Sequence, residues 1–514
     1  MMMKMFRRIS NLLLTAVFSM TCSFFAIAQP GTGVIDIQED IKRLAADPAL
    51  AEGAVSICAR TGDGRIVADV NRMQMMVPAS NMKLITTGAA LNELGADYRF
   101  ETAIGYDGSI TDGTLDGNLY IIGGGDPTLG SKDSIAVALG SVFKEWESMI
   151  RKAGIRRITG RIVGDGRYFD GMMEEPTWLW NDVGVYYGAG TTGLMFYENM
   201  QSFSVNGGAE PGDPVKISPS YPETPWMEFR YDCTTGEKGT GDRLYMYTSD
   251  LAPIAVVRGT FGVDRGSKRV DCSNKYPEYT CAYYFHDFLK KKGIRCDGGT
   301  GDFRLDRAWE PCGEVQLLGR TYSPELSRIV FETNHASNNV FAETLMRSIG
   351  KVRTGSATYD SSYVAMEEAL KTLKVNTSKG IHIQDGSGLS RQNLVSSDFM
   401  CRFLEAMMDS GHFEEYLASL PSPGRDGTMF YNMKSYPASM KSRIMVKSGS
   451  MNGVRCYSGY ILPSGWSAAD IDDMPEDALD DIIVFSIMTN NCTSPTWKVR
   501  PLLDKMMAVL AGAN

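Results

Sequence analysis

Three short polar motifs occur in a fixed order: Ser80-Asn81-Met82-Lys83, Ser337-Asn338-Asn339 and Lys447-Ser448-Gly449. They fit S-x-x-K, S-x-N and K-[ST]-G. A hydroxyl nucleophile is weak at neutral pH and needs a base within reach. A lysine three residues further along a helix lies on the same face as Ser80 and supplies one. A second serine relays a proton, and a second lysine brings a cation to a carboxylate. For these groups to act together, a stretch near residue 80 must meet stretches near 337 and 447.

Each motif alone is weak, because Ser and Lys are common and a chain this long holds about two S-x-x-K matches by chance. The second match, Ser141-Val142-Phe143-Lys144, sits in an amphipathic helical stretch with a solvated polar face. Ser204-Val205-Asn206 runs into Gly207-Gly208 and reads as a strand meeting a turn. Ser337 instead precedes an apolar run at helical spacing, and Ser450-Met451-Asn452 falls out of order.

The N-terminus reads as a targeting segment. Lys4, Arg7 and Arg8 form a basic region, Leu12 to Phe25 an apolar one, and Ala26-Ile27-Ala28 a cleavage site. Residues 1–28 are thus expected to be a signal peptide. The apolar stretch is short for a spanning helix, and no later stretch reads as transmembrane. The Arg7-Arg8 pair lacks the rest of a twin-arginine pattern, and the residues before Cys22 make a poor lipidation site. The expectation is an exported, periplasmic protein with no stable membrane anchor.

With 52 Lys+Arg against 61 Asp+Glu, the formal net charge is −9, and no basic run suggests nucleic-acid binding. Of the ten cysteines nine remain after Cys22 leaves with the signal, and export permits disulfides. Cys233, Cys272, Cys281, Cys296 and Cys312 cluster, and one or two bridges are expected there. The four histidines are scattered and there is no C-x-x-C, so neither a metal site nor a cofactor is expected.

Ile35 to Ala46 reads as a helix, and 54–58 and 66–70 as strands around Gly62-Asp63-Gly64. Pro78-Ala79-Ser80 leads into an apolar helix from Met82 to Leu94, whose N-terminus favours developing negative charge near Ser80. Residues 97–309 change to short alternating segments punctuated by Gly, Asp and Pro, a mainly β insertion of one or two subdomains. Within it Trp178, Trp180, Tyr186 and Tyr187 read as an aromatic core cluster, with the wall of a cleft as the alternative. Asp182 between them reads as a solvated loop carboxylate, or else as a group meeting a cationic peptide end. Helices return after about 315, then a strand from Ile444 to Val446 before Lys447, strands at Tyr457–Leu462 and Ile482–Thr489, and a last helix from Trp497 to Leu510. The pattern indicates one α/β domain, 29–96 with 310–514, interrupted by another.

On the motifs and their neighbours, the chain resembles the class C low-molecular-mass penicillin-binding proteins, the D-alanyl-D-alanine carboxypeptidase/endopeptidase family. The neighbours are GGGDPTL (123–129), the stretch 323–350 around Ser337, DGSGLSRQN (385–393), LPSPGRDGTM (420–429) and KSGSMNGVRCYSGY (447–460). The resemblance implies a serine β-lactamase/DD-peptidase-like transpeptidase domain carrying the insertion. Compact β-lactamases have a much shorter gap between the first two motifs. Asn338 stands where that family often has Asp, and Ser448 where Thr is commoner. The resemblance also implies roles. Ser80 is the nucleophile, Lys83 its proton acceptor and Ser337 the proton shuttle. Asn339 binds the substrate amide, and Lys447 and Ser448, with Gly449 beside them, bind the terminal carboxylate. The N–H groups of Ser80 and Ser450 form an oxyanion hole. The implied partners are peptidoglycan peptides and, as covalent inhibitors, β-lactams. The alternatives are a serine β-lactamase of the same superfamily and a non-catalytic cell-wall-binding protein.

Overall fold

The computed structural model describes residues 36–306, 311 and 313–512; the expected signal peptide, Cys22 and Cys312 lie outside the described residues. The central sheet draws its strands from both ends of the chain. Its order is Ile66–Val70, Ala54–Thr61, Ile483–Asn490, Val454–Ile461 and Ile444–Met451, all antiparallel. Side chains alternate across it, as the two-residue strand period requires. Ile57 and Ala59 pack on one face with Ile41, Leu503 and Met507, from helices Ile37–Ala45 and Thr496–Ala511. Cys58 faces the opposite core, with Met82, Phe399 and Phe403. There the helix Met82–Leu94 is buried at every residue from Met82 to Leu91, so its lysine enters the protein interior with it.

Ile444–Met451 lies at the sheet edge and carries the third motif inside the strand rather than after it. The Val446 N–H leaves the sheet to donate to Pro421 O at 2.9 Å. Two-residue alternation turns the N–H groups of Ser448 and Ser450 out of the same edge.

Residues 101–322 supply the other large sheet, five-stranded, plus smaller three- and four-stranded ones. They also contain two full helices. Leu139–Lys152 is the amphipathic stretch carrying the decoy motif, while Pro277–Lys291 has no counterpart among the expected elements. The two helices meet through Trp146, Phe143 and Phe285. Two further expectations fail. Cys233, Cys272, Cys281 and Cys296 are all free thiols, mostly buried, so no bridge forms among the described residues. Asp182 is buried rather than solvated, and accepts a 3.0 Å hydrogen bond from the Tyr187 hydroxyl. No described helix is long and apolar enough to cross a membrane, and no group of three or more His, Cys, Asp or Glu among the described residues can hold a metal ion.

Candidate active site

Ser80 sits in a single 3-10 turn, Ala79–Asn81, immediately before the helix that carries Lys83. The turn is pinned from behind. Ala79 holds φ 47, a region few non-glycine residues adopt. A Cβ on Gly388 would lie 1.9 Å from Ala79 O, and one on Gly449 2.5 Å from Pro78 O. Only glycines let the 385–393 loop and the edge strand close on the Ser80 turn from two sides. Asn81 adds a side-chain bond to Ser458 Oγ at 2.7 Å.

Lys83 is completely buried, and its Nζ has three oxygen neighbours: Ser80 Oγ at 3.2 Å, Asn339 Oδ1 at 2.6 Å and Ser387 O at 2.8 Å. Two of these are carbonyl oxygens and accept only; the hydroxyl alone can donate. A neutral amine has two N–H donors and one lone pair. It matches this set with the lone pair aimed at the Ser80 proton. Burial pulls the Lys83 amine down to about 7, against the opposing pull of Asp385 and Glu343, neither of which touches it directly. Asn339 is oriented unambiguously, since its Nδ2 donates to Tyr187 O at 2.9 Å while Oδ1 faces the amine.

The other motif residues converge on the same place. Lys447 Nζ donates to Ser337 Oγ at 2.9 Å and to Ser448 O at 2.8 Å. Burial first, and then repulsion from Lys83, put Lys447 well below the usual lysine range. Burial, not Lys447, is what lowers Lys83, and the repulsion between the two lysines is felt at Lys447. Ser337 has φ 59, a bend that turns the chain into the helix Asn339–Thr354. Asn338 caps that helix, accepting from Phe341 N at 3.1 Å, and donates to Glu198 Oε2 at 2.7 Å. Ser448 Oγ donates to Thr428 Oγ1 at 2.9 Å, and Ser450 Oγ accepts from the Arg455 guanidinium. Thr428 also borders a cavity of about 380 Å³ lined by Glu332, His335, Ala336 and Gly427.

Several contributing residues went unassigned in the sequence: Thr428, Glu343 and the carbonyls of Ser387 and Tyr187. Three of the four lie in the segments neighbouring the motifs, which the sequence marked without identifying their atoms. The aromatic segment is split. Trp178 is buried and donates to Asp385 Oδ2 at 2.9 Å, whereas Trp180 and Tyr186 are more than half exposed, Trp180 against Tyr247 and Tyr186 against Tyr187.

A buried lysine paired with a serine at the start of an interior helix, on this sheet-and-helix frame, is the arrangement of a serine peptidase. The sequence model of the D-Ala-D-Ala carboxypeptidase 3 (S13) family matches residues 37–511, and the chain belongs to that family. A D-alanyl-D-alanine carboxypeptidase from an Actinomadura species is 30% identical over 450 residues, 84% of this chain and 79% of the relative. The D-alanyl-D-alanine carboxypeptidase DacB of Haemophilus influenzae is 24% identical over 418 residues, 79% of this chain and 81% of the relative. The crystal structure of penicillin binding protein 4 from Haemophilus influenzae shares the fold, with TM-score 0.76 and 22% identity over 92% of this chain and 98% of that one. The protein is therefore an enzyme, a hydrolase of the serine peptidase type.

Proposed function

We propose that the protein cleaves the D-Ala–D-Ala bond of peptidoglycan stem peptides, and cross-links ending in D-Ala, through an acyl-enzyme on Ser80. Ser80 Oγ attacks the carbonyl and its proton passes to Lys83 Nζ. The C–N bond breaks as Ser337 delivers a proton to the leaving amine, and water then hydrolyses the ester. Lys447 and Ser448 hold the terminal carboxylate, Asn339 the substrate amide, and the N–H groups of Ser80 and Ser450 the oxyanion. The observation that carries the proposal is the Lys83 amine, buried with no carboxylate in contact and within 3.2 Å of Ser80 Oγ. The out-turned N–H of Ser450 and the tight seat of Gly449 behind the nucleophile turn support the oxyanion assignment. The same proposal takes 29–96 with 310–514 as the peptidase domain and 97–309 as its insertion. It places the enzyme in the periplasm after removal of 1–28.

β-Lactams should acylate Ser80 and leave slowly. A class A β-lactamase deacylates with a glutamate-held water on an E-x-x-L-N segment. The nearest match here, Glu367 to Lys371, lacks the final Asn. Its Glu367 and Glu368 are exposed on the helix Tyr359–Thr372, and Glu368 pairs with Lys371. Mass spectrometry of the penicillin-treated protein tests both readings. A stoichiometric adduct lasting minutes, absent in Ser80→Ala and normal in Ser141→Ala, is expected. An adduct that persists in Ser80→Ala would remove the nucleophile. Release within seconds over many turnovers would make the protein a β-lactamase.

A further inference from the structure

The Ser387 carbonyl, one of the three partners of Lys83, belongs to none of the three motifs. It lies in the turn between strands Ile381–His382 and Leu394–Ser396, and the second of these pairs Val395 with Met76, four residues before Ser80. Every backbone N–H from Gly386 to Ser390 is held by a side-chain oxygen. Glu343 takes Gly386 N at 3.2 Å on Oε2 and Ser387 N at 2.7 Å on Oε1. Asp385 takes Gly388 N at 2.7 Å and Ser390 N at 2.5 Å, and Ser387 Oγ takes Leu389 N at 3.3 Å. Glu343 follows Asn339 by one helical turn, so the amide that touches Lys83 and the carboxyl that grips its carbonyl partner share one helix face.

We propose that Glu343 is a positioning residue for acylation: through the N–H groups of Gly386 and Ser387 it aims the Ser387 carbonyl at Lys83 Nζ and thereby turns the amine's lone pair onto Ser80 Oγ. This rests on the reading of Lys83 as the base. Glu343 is fully buried, and the ionisable groups acting on it or feeling it are Asp385, Lys83, Arg347, Tyr359 and Tyr363. Burial, then repulsion from Asp385, raises its carboxyl to about 8, against hydrogen bonds from the Ser387 side chain and the two N–H groups.

The test is penicillin acylation of Glu343→Ala and Glu343→Gln between pH 5 and 9, separating the limiting rate constant from the affinity of the initial complex. Melting temperatures and Lys83→Met are run alongside. A small misplacement of a reacting group costs up to about 100-fold, so Glu343→Ala should lose roughly 10- to 100-fold in the limiting rate, with affinity within about twofold. Loosening an acceptor of the ammonium lowers the lysine pKa, so the midpoint of the rate against pH should fall by about one unit. Glu343→Gln keeps one acceptor oxygen, and should lose less rate while moving the midpoint the same way. A folded Glu343→Ala that acylates at the parent rate overturns the proposal, as does a slower one with an unmoved midpoint. If Glu343→Ala does not fold, the limiting rate in Glu343→Gln decides: a reduced rate with unchanged affinity supports the proposal, and the parent rate overturns it. Acylation that survives in Lys83→Met instead overturns the base assignment, leaving Glu343 with nothing to position.

Discussion

Lys83 and Lys275 are both sealed from solvent, one behind the nucleophile and the other in the region between the motifs, and they meet burial in opposite ways. Lys275 lies 2.5 Å from Glu174 Oε1 and donates to Val183 O at 2.8 Å. Its charge is matched by contact, and the pair ties down the segment 183–188 that presents the Tyr187 carbonyl to Asn339. Ser273 reinforces that tie, through its N–H to Gly184 O and its Oγ to Val183 O. Lys83 touches only neutral oxygens, and its two nearby carboxyls act from behind a loop. Burial disfavours the charged form of both, but only one has a contact ion to oppose it. Contact with a carboxylate opposes the effect of burial at Lys275, and Lys83 has no such contact.

Exchanging each for methionine should break the comparison in two directions. Removing a general base costs about 10²- to 10⁴-fold, so Lys83→Met should lose that much in penicillin acylation while melting no lower than the parent. In the parent, acylation should rise about tenfold per pH unit until about 7 and then level, because only the deprotonated amine accepts the Ser80 proton. A flat profile from pH 5 to 8 would remove the low pKa from the mechanism. Lys275→Met leaves Glu174 buried without its cation, a loss of about 3–5 kcal/mol that calorimetry should show as a lowered Tm. Its acylation per folded molecule should stay within a few-fold of the parent. If Lys275→Met cuts acylation as deeply as Lys83→Met, the two lysines do not differ in kind.

Lys447 sharpens the contrast, being buried, lacking a carboxylate and repelled by Lys83, so that an incoming carboxylate is its missing partner. Lys447→Ala should weaken kcat/KM for peptides with a free C-terminal carboxylate by about 1.5–3 kcal/mol, the worth of a charge-assisted contact. Amidated analogues should lose much less. Equal losses would withdraw the anchor role.

Much of this was legible in the sequence. Helices and strands read on both sides of the insertion indicated an interrupted α/β domain, and the central sheet draws its strands from both chain ends. The helix Met82–Leu94 and the terminal helix were readable from apolar spacing. Pro277–Lys291 was not, because its Tyr, Phe and Cys residues are indifferent helix formers; the proline at its first position, Glu278 in the first turn and Lys290 and Lys291 in the last were signals left unread. Clustered cysteines suggested bridges, but spacing says nothing of depth, and the four described ones fill apolar sites as free thiols. Asp182 looked solvated because it follows Asn181 in a loop, and the Tyr187 hydroxyl that covers it belongs to a later turn. Backbone carbonyls were the least legible. Ser387 O and Tyr187 O reach the site only because distant carboxyls and a buried ion pair hold their loops, which no local pattern records.

The smallest effect should come from Asn338, where an amide stands in place of the aspartate common in the family it resembles. Its Oδ1 caps the helix Asn339–Thr354, and its Nδ2 donates to Glu198 Oε2 at 2.7 Å, while Ser131 Oγ holds Oε1 at 2.6 Å. Burial already keeps the Glu198 carboxyl above the usual range. Asn338→Asp would keep the cap acceptor but turn a donor into a second carboxyl facing the first. The expected cost is about 1 kcal/mol of stability at neutral pH, with acylation little changed because Asn339 and Lys83 keep their contacts. As pH falls the two carboxyls can share a proton and the deficit should shrink. Glu198→Gln in the same chain should restore most of the loss by supplying an amide donor to the new carboxylate. Thermal melts of the two single variants and the double variant measure that coupling. Additive losses would mean that Asn338 and Glu198 act independently, and that the amide here is not matched to the buried glutamate.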